Sequence, residues 1–236
     1  MDILQLRATV FLSQNIGYNP DTAKSFSEII GLDDCKIQGL PLPGISNNST
    51  EPQWNMPWTI ITKNDNYMYN INFLPGKIDI VEAVENIYDK NIENTFVNNC
   101  VLWFNKICDK IQGKPSRLAY APLYMISDGL QNLWGSILKE NSLDGLSAND
   151  KNVSFNYKKE IVIGEKNCEV NLLHNFYDGV KTYSENNIRK SKIVVGIQLD
   201  LNTIPMKNYE FSDDETRLFF DEITKINEQL IKRILS

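Results

Sequence analysis

The sequence predicts an α+β fold, in which antiparallel strands form one sheet and long helices cover one of its faces. Two observations predict it. Short stretches in both halves of the chain alternate apolar with polar residues, as half-buried strands do. Two longer stretches repeat apolar residues every three or four positions, as the buried face of a helix does. A chain of 236 residues is long enough for one domain, or for two small units that share a core.

The first half is predicted to run strand, short helix, three strands and long helix. The opening strand has an apolar face, which comprises Leu4, Leu6, Ala8, Val10 and Leu12. Asn19 and Pro20 are typical of a helix start, and Gly31 of a helix end. An irregular loop is expected over 38–57, which contains four prolines. Strands over 58–62, 67–73 and 77–81 and a helix over 91–112 complete this half.

The second half is predicted to repeat this order. A strand over 117–126 contains Pro122, which favours a sheet edge or a bulge. A helix is expected over 128–139, a polar loop over 141–152 and a hairpin over 153–163 and 168–177. The stretch 178–191 is polar and predicted to be mobile, and a strong strand follows at 192–201. Ser212 and Glu215 form a capping box that predicts the start of the terminal helix.

The repeated order predicts two similar βαβββα halves, 1–113 and 114–236, in one compact unit. Joined edge to edge, they would form one curved antiparallel sheet with the long helices on its concave side. That shape is TATA-binding-protein-like or helix-grip-like. Free sheet edges, including the strand with Pro122, would allow two copies to pair as a homodimer.

Composition and charge exclude several kinds of function. A net charge of −6 argues against binding nucleic acid through its phosphates. No apolar run approaches the roughly 18–20 residues of a membrane span. The first residues carry Arg7 and lack the pattern of a secretory signal, so we expect a cytoplasmic protein. One histidine and four cysteines without zinc spacing predict neither a metal site nor a cofactor.

Three landmarks follow one another from Trp58 onward. They are a tryptophan strand before a long helix, the strand that begins Arg117-Leu-Ala-Tyr120, and the strand Gln198-Leu-Asp-Leu-Asn202 before the final helix. These resemble the landmarks of a sporadically distributed family of bacterial proteins of unknown function. That family has a second Arg where this chain has Ala119, and an Asp-Ile-Asp strand of which this chain keeps Asp200. The resemblance implies a place near mobile or defence-type loci and brings no activity with it.

Candidate partner-binding residues lie in and beside the proline-rich loop. They are Trp54, Met56 and Trp58. Apolar side chains in such a loop either pack over the core or form a partner surface, and the sequence leaves both open.

Candidate ligand-binding residues are Arg117, Tyr120, His174 and Asp200. A strand guanidinium beside small neighbours suits an anion. No catalytic motif is present. The preferred hypothesis is therefore a non-enzymatic protein that binds a partner protein or a small ligand, in a defence or toxin–antitoxin-type system. The alternative is an enzyme on the concave face, in which Arg117 holds an anionic substrate and His174 or Asp200 acts as base. A nucleic-acid-binding saddle is a third reading, which the net charge disfavours.

Overall fold

The computed structural model describes residues 1–32, 34–40, 52–64, 67–127, 152–185, 188–205 and 209–235. Within these residues the architecture is α+β, as predicted: ten antiparallel strands form one sheet, and three helices pack on it. The strands are β1 (Asp2–Phe11), β2 (Lys36–Gly39), β3 (Trp58–Asn64), β4 (Tyr67–Leu74), β5 (Lys77–Ile87), β6 (Arg117–Tyr120), β7 (Leu123–Ile126), β8 (Asn152–Ile163), β9 (Lys166–Glu185) and β10 (Ile188–Thr203). The helices are α1 (Pro20–Ile30), α2 (Lys90–Ile111) and α3 (Asp213–Leu235). The predicted helix over 128–139 lies outside the described residues, as does nearly all of the predicted loop over 141–152.

The strand that contains Pro122 lies in the middle of the sheet. The strand order is β2-β3-β4-β5-β1-β6-β10-β9-β8, and β7 continues β6 between β1 and β10. The predicted edge position is therefore wrong. The sheet tolerates a proline here because β6 and β7 are separated by a short break that keeps its hydrogen bonds. The Ala121 N–H donates to the Arg7 carbonyl at 2.8 Å, and the Leu199 N–H donates to the Pro122 carbonyl at 3.1 Å.

The apolar alternation of β1 is confirmed over most of the strand and changes phase at its start. Leu6, Ala8 and Val10 are completely buried. The pairing of β1 with β5 is irregular between Ile3 and Gln5. Because an extra residue in one strand reverses the side on which the preceding side chains lie, Ile3 is buried in place of Leu4.

Strands β9 and β10 are longer than the sequence predicted. They pair continuously from Val170 opposite Thr203 to Glu185 opposite Ile188. Most of the stretch predicted as mobile, 178–191, is therefore strand. Each strand of this hairpin supplies the hydrogen-bond partners of the other, so the backbone is satisfied although none of the described side chains over 178–191 is buried.

The helices all pack on one face of the sheet, which we call the helix face; the opposite face, on which no described helix packs, is the open face. The stripe predicted for α2 is confirmed, with Phe96, Cys100 and Phe104 completely buried. The start of α3 carries the predicted capping box: the Ser212 N–H donates to Glu215 Oε2 at 2.8 Å, and the Glu215 N–H donates to Ser212 Oγ at 3.3 Å. None of the described helices is both long and apolar enough to cross a membrane.

Candidate functional site

An exposed tryptophan lies on a well-anchored turn. The side chain of Trp54 is 62 % exposed. The turn closes with a hydrogen bond from the Met56 N–H to the Gln53 carbonyl at 3.1 Å. Two further backbone hydrogen bonds join the turn to Tyr18. The Asn55 N–H donates to the Tyr18 carbonyl at 2.9 Å, and the Tyr18 N–H donates to the Met56 carbonyl at 3.0 Å. The ring is thus held out by a turn whose backbone is hydrogen-bonded within the turn and, through Asn55 and Met56, to Tyr18.

The sequence explains the geometry of this turn. Asn55 has a φ of 61°, in the left-handed region that asparagine adopts more readily than most residues. Gly17 passes close to it: a Cβ atom at Gly17 would lie 2.7 Å from the Asn55 Cα atom. A side chain at Gly17 would therefore displace the turn. Met56 is half-buried beside Trp54, and the rest of the predicted loop, 41–51, lies outside the described residues.

Trp58 is a core residue, which corrects its prediction as a partner-binding residue. It is completely buried, its ring stacks on Phe73 with 4.1 Å between centroids, and its Nε1–H donates to the Ile16 carbonyl at 3.1 Å. Trp58 begins β3 and lies on the helix face, where α1 brings Phe26 against it at 6.1 Å. An aromatic ring covered in this way has no surface for a partner.

The open face carries Arg117 and Asp200. The Arg117 guanidinium lies 4.3 Å from the centre of the Phe11 ring, and its Nε–H donates to the Thr203 carbonyl at 3.3 Å. Burial lowers the pKa of Arg117, and the charge of Asp200 acts against that shift. Asp200 accepts a hydrogen bond from Asn202 Nδ2 at 2.9 Å. The structure therefore brings Arg117 and Asp200 to one face, close enough to interact electrostatically.

Tyr120 and His174 lie on the helix face, away from Arg117. Tyr120 is opposite Leu201 and completely buried; His174 is opposite Leu199 and 6 % exposed. Burial lowers the pKa of His174 to about 4, so it is neutral near pH 7. The sheet separates Arg117 from His174, and the predicted site that combined them is not formed. The four predicted ligand-binding residues do not share one pocket.

A buried hydrogen-bonded carboxylate on the helix face was not predicted. Glu93, in the first turn of α2, is only 2 % exposed. Its Oε1 atom accepts hydrogen bonds from the Tyr120 hydroxyl at 2.6 Å, from the Tyr124 hydroxyl at 3.3 Å and from Asn227 Nδ2 at 2.6 Å. Burial raises the pKa of Glu93, and these donors, together with Tyr88, oppose the rise. We call Glu93, Tyr120, Tyr124 and Asn227 the Glu93 network.

The Glu93 network lies beside a cleft between α2 and α3. The cleft has a volume of about 280 Å³, and Glu93, Asn94, Asp221 and Thr224 are among its lining residues. Lys90 and Lys225 also line it, each in an ion pair with a glutamate of α3. No group of three or more potential metal-ligating side chains occurs in the part of the chain that the structure describes.

One signal in the sequence indicated this network. Glu93 precedes Phe96 and Cys100 by three and seven residues, so it continues the apolar stripe of α2 with a carboxylate. Asn227 continues the stripe of α3 in the same way, four residues after Ile223. A charged or amide residue on an apolar stripe predicts a buried partner, although it does not say which one.

Comparisons with known proteins add no identification: no family model matches the chain, and no curated protein matches it. The resemblance to a sporadically distributed bacterial family stays a prediction.

Proposed function

We propose that this protein acts by binding a partner protein, with Trp54 as the central contact. The observation that carries the proposal is the exposed Trp54 ring on an anchored turn. Tryptophan is enriched among the few interface residues that supply most of the binding energy, typically about 2 kcal/mol or more each. Met56, two residues further along the same turn, is half-buried and adds apolar surface to it.

The anchoring of the turn supports this function as much as the exposure does. A ring held by a fixed backbone loses little conformational entropy when a partner covers it, so more of its contact energy contributes to affinity. The hydrogen bonds to Tyr18, the left-handed Asn55 and the close approach of Gly17 all restrict the turn. The family resemblance suggests a partner in the bacterial cytoplasm, such as a toxin, a nuclease or a phage component.

The proposal is tested by comparing Trp54→Ala with Leu218→Ala. Leu218 is a suitable control because it is also a partly exposed apolar residue, on α3 and outside the turn. Each variant and the wild type capture proteins from the host extract, and the captured protein is then purified and titrated by calorimetry. We expect Trp54→Ala to weaken its affinity about tenfold or more, with Leu218→Ala close to wild type.

Two results would overturn this function. One is an equal affinity of the wild type and Trp54→Ala for the captured protein. The other is a melting temperature several degrees lower for Trp54→Ala, which would mean that the turn covers the core. Leu218→Ala, measured in parallel, separates a loss of affinity that is specific to Trp54 from a general effect of removing exposed apolar surface.

We further propose that the chain consists of two similar halves, 1–113 and 114–236, arranged as in a TATA-binding-protein-like sheet. The strand order supports this arrangement. Outward from the centre of the sheet it runs β1-β5-β4-β3 on one side, with the short strand β2 added at that edge, and β6-β10-β9-β8 on the other, and each half ends in a long helix. A crystal structure tests it: a helix over 128–139 on the helix face would support the two halves, and a different structure there would contradict them.

A further inference from the structure

Two cationic side chains flank one aromatic ring on the open face, at one end of the sheet. Phe11, the last residue of β1, lies directly opposite Lys77, the first residue of β5, and Arg117, the first residue of β6. The Arg117 guanidinium lies 4.3 Å from the centre of the Phe11 ring, and Lys77 Nζ lies 6.0 Å from it. At these distances the ring attracts both cations and holds them near one another. We call Phe11, Lys77 and Arg117 the cation cluster.

Most of the N–H donors of this cluster are unused. Arg117 donates through Nε to the Thr203 carbonyl at 3.3 Å, and its two terminal nitrogens make no hydrogen bond or ion pair with a described residue. Lys77 Nζ makes none either within the described chain. Four buried side-chain N or O atoms lack a partner among the described residues, and none of them belongs to Arg117 or Lys77. Because the unused nitrogens are not buried, they are open to a ligand at the surface.

The neighbouring carboxylates do not pair with the cluster. Asp79 accepts two hydrogen bonds from Arg7, each at 2.7 Å. Asp200 influences Arg117 through its charge, but it accepts its hydrogen bond from Asn202, at 2.9 Å. The cluster therefore presents two positive charges without an ion-pair partner in the part of the chain that the structure describes.

The chemistry of the two cations defines the ligand. The guanidinium is a planar fork that binds two oxygens of one anion, and the lysine is a point charge on a flexible chain that can reach the same anion. A phosphate monoester brings three acceptor oxygens and about −1.5 to −2 charges near neutral pH, which matches two cations better than the single charge of a carboxylate or a phosphodiester. We propose that the cation cluster binds the phosphate group of a small phosphate monoester, with Arg117 and Lys77 as its contacts.

A titration followed by 1H–15N NMR tests this proposal, with methyl phosphate as the probe. Dimethyl phosphate is the matched control ligand, because it has one more methyl group and one negative charge less. At about pH 8 and a constant ionic strength of about 0.1 M, we expect methyl phosphate to bind with a Kd of about 20 mM or below. Dimethyl phosphate should bind at least about fivefold more weakly. A Kd for methyl phosphate above about 20 mM, or equal binding of the two esters, would overturn the proposal.

Variants locate the binding. Lys77→Gln and Arg117→Gln each remove one of the two charges, so each should weaken methyl phosphate binding about fivefold or more. Lys36→Gln makes the same change at an exposed lysine of β2, three strands away from β5, and should bind like the wild type. If Arg117→Gln does not fold, Lys77→Gln decides the question, because wild-type affinity in that variant would contradict a site made of both cations.

Two further titrations separate this site from other functions. An oligonucleotide without terminal phosphates offers only diester groups. If it bound more tightly than methyl phosphate and lost this affinity in Lys77→Gln, the ligand would be a nucleic acid and the proposal would be wrong. Trp54→Ala should bind methyl phosphate like the wild type, since Trp54 belongs to the proposed partner surface and not to the cation cluster. The two proposals can therefore fail independently.

Discussion

Arg7 and Asp79 form a doubly hydrogen-bonded ion pair across β1 and β5, on the open face. The Arg7 Nε–H and one terminal N–H each donate to a different oxygen of Asp79, both at 2.7 Å. The Thr9 hydroxyl donates to the same carboxylate at 2.6 Å. The Asp79 side chain is 3 % exposed whereas that of Arg7 is 41 % exposed, so Arg7 both pairs with a buried charge and covers it.

Removing Arg7 should destabilise the protein. Breaking a fully buried ion pair costs about 3–5 kcal/mol; since Arg7 is partly exposed, we expect Arg7→Met to lower the free energy of unfolding by about 2 kcal/mol. Urea unfolding measures this. Arg7→Met combined with Asp79→Asn should recover part of the loss, because no unpaired charge then remains buried. A double variant less stable than Arg7→Met would contradict this account. Lys158→Met, which breaks the exposed pair with Glu169, should cost less than about 1 kcal/mol.

Glu82 should make the protein less stable above neutral pH. Burial raises its pKa from 4.5 to about 7, and its Oε2 atom has no partner among the described residues. The folded state therefore binds this proton more tightly than the unfolded chain. Its contribution to stability is fully present below pH 4.5 and is lost as the pH rises through 7. We expect Glu82→Gln to raise the free energy of unfolding by about 3 kcal/mol at pH 8 relative to its effect at pH 4.5.

Urea unfolding of Glu82→Gln at several pH values between 4 and 8 tests this expectation. Glu28→Gln is the control, since its side chain is exposed on α1. If Glu82→Gln followed the wild-type pH profile throughout, the carboxyl of Glu82 would not titrate as described.

His174 should make the protein less stable as the pH falls, which is opposite to the effect of Glu82. Burial lowers its pKa from 6.5 to about 4, and its Nε2 atom has no hydrogen-bond partner in the described part of the chain. The unfolded chain therefore binds this proton more readily. The contribution of His174 is complete above pH 6.5 and is lost as the pH falls towards 4, by about 3 kcal/mol. His174→Phe should remove this loss.

Between about pH 4.5 and 6.5, the pKa shifts of Glu82 and His174 change the free energy of unfolding in opposite directions. Their effects on the pH dependence of wild-type stability should therefore nearly cancel in this range. Acid unfolding followed by circular dichroism would show His174→Phe persisting to lower pH than the wild type. An unchanged acid midpoint would mean that His174 is protonated in the folded protein without cost.

Replacing Trp58 should lower the stability of the protein strongly, whereas replacing Trp54 should hardly change it. Trp58→Ala removes a completely buried ring that stacks on Phe73, and we expect it to lower the free energy of unfolding by about 4 kcal/mol. Trp54→Ala removes an exposed ring and should change it by less than about 0.5 kcal/mol. Urea unfolding of both variants at neutral pH makes the comparison. Similar losses in the two would contradict the placement of one ring in the core and the other outside it.

Local patterns in the sequence were enough to predict the main elements. The apolar alternation over 67–73 predicted one face that comprises Tyr67, Tyr69, Ile71 and Phe73. The last three of these residues are buried, and Tyr67 is half-buried. The stripe of α2 and the Ser212 capping box were predicted in the same way. Each of these features depends on residues within one or two turns of one another, so neighbouring residues determine them.

The placement of Pro122 and the extent of β9 and β10 could not be predicted. Pro122 by itself favours an edge or a bulge. Its strand stays in the centre because the Ala121 N–H donates to Arg7 in β1 and the Pro122 carbonyl accepts a hydrogen bond from the Leu199 N–H in β10. Residues 178–191 are polar, and their pairing depends on a partner strand and not on their own pattern. Strand pairing joins distant residues, so no local pattern contains it.

The sequence by itself determined the fold class, the buried stripe of α2, the buried face of β4 and of β1 from Leu6 onward, and the presence of polar residues on apolar stripes. Only the tertiary structure decided that Trp54 is exposed while Trp58 is buried, and that Arg117 and His174 lie on opposite faces of the sheet. It also brought Glu93 to Tyr120, Tyr124 and Asn227, which are 27, 31 and 134 residues away. The physical reason is that the periodicity of a strand or helix determines which of its residues share a face, whereas strand order and helix packing determine what covers that face.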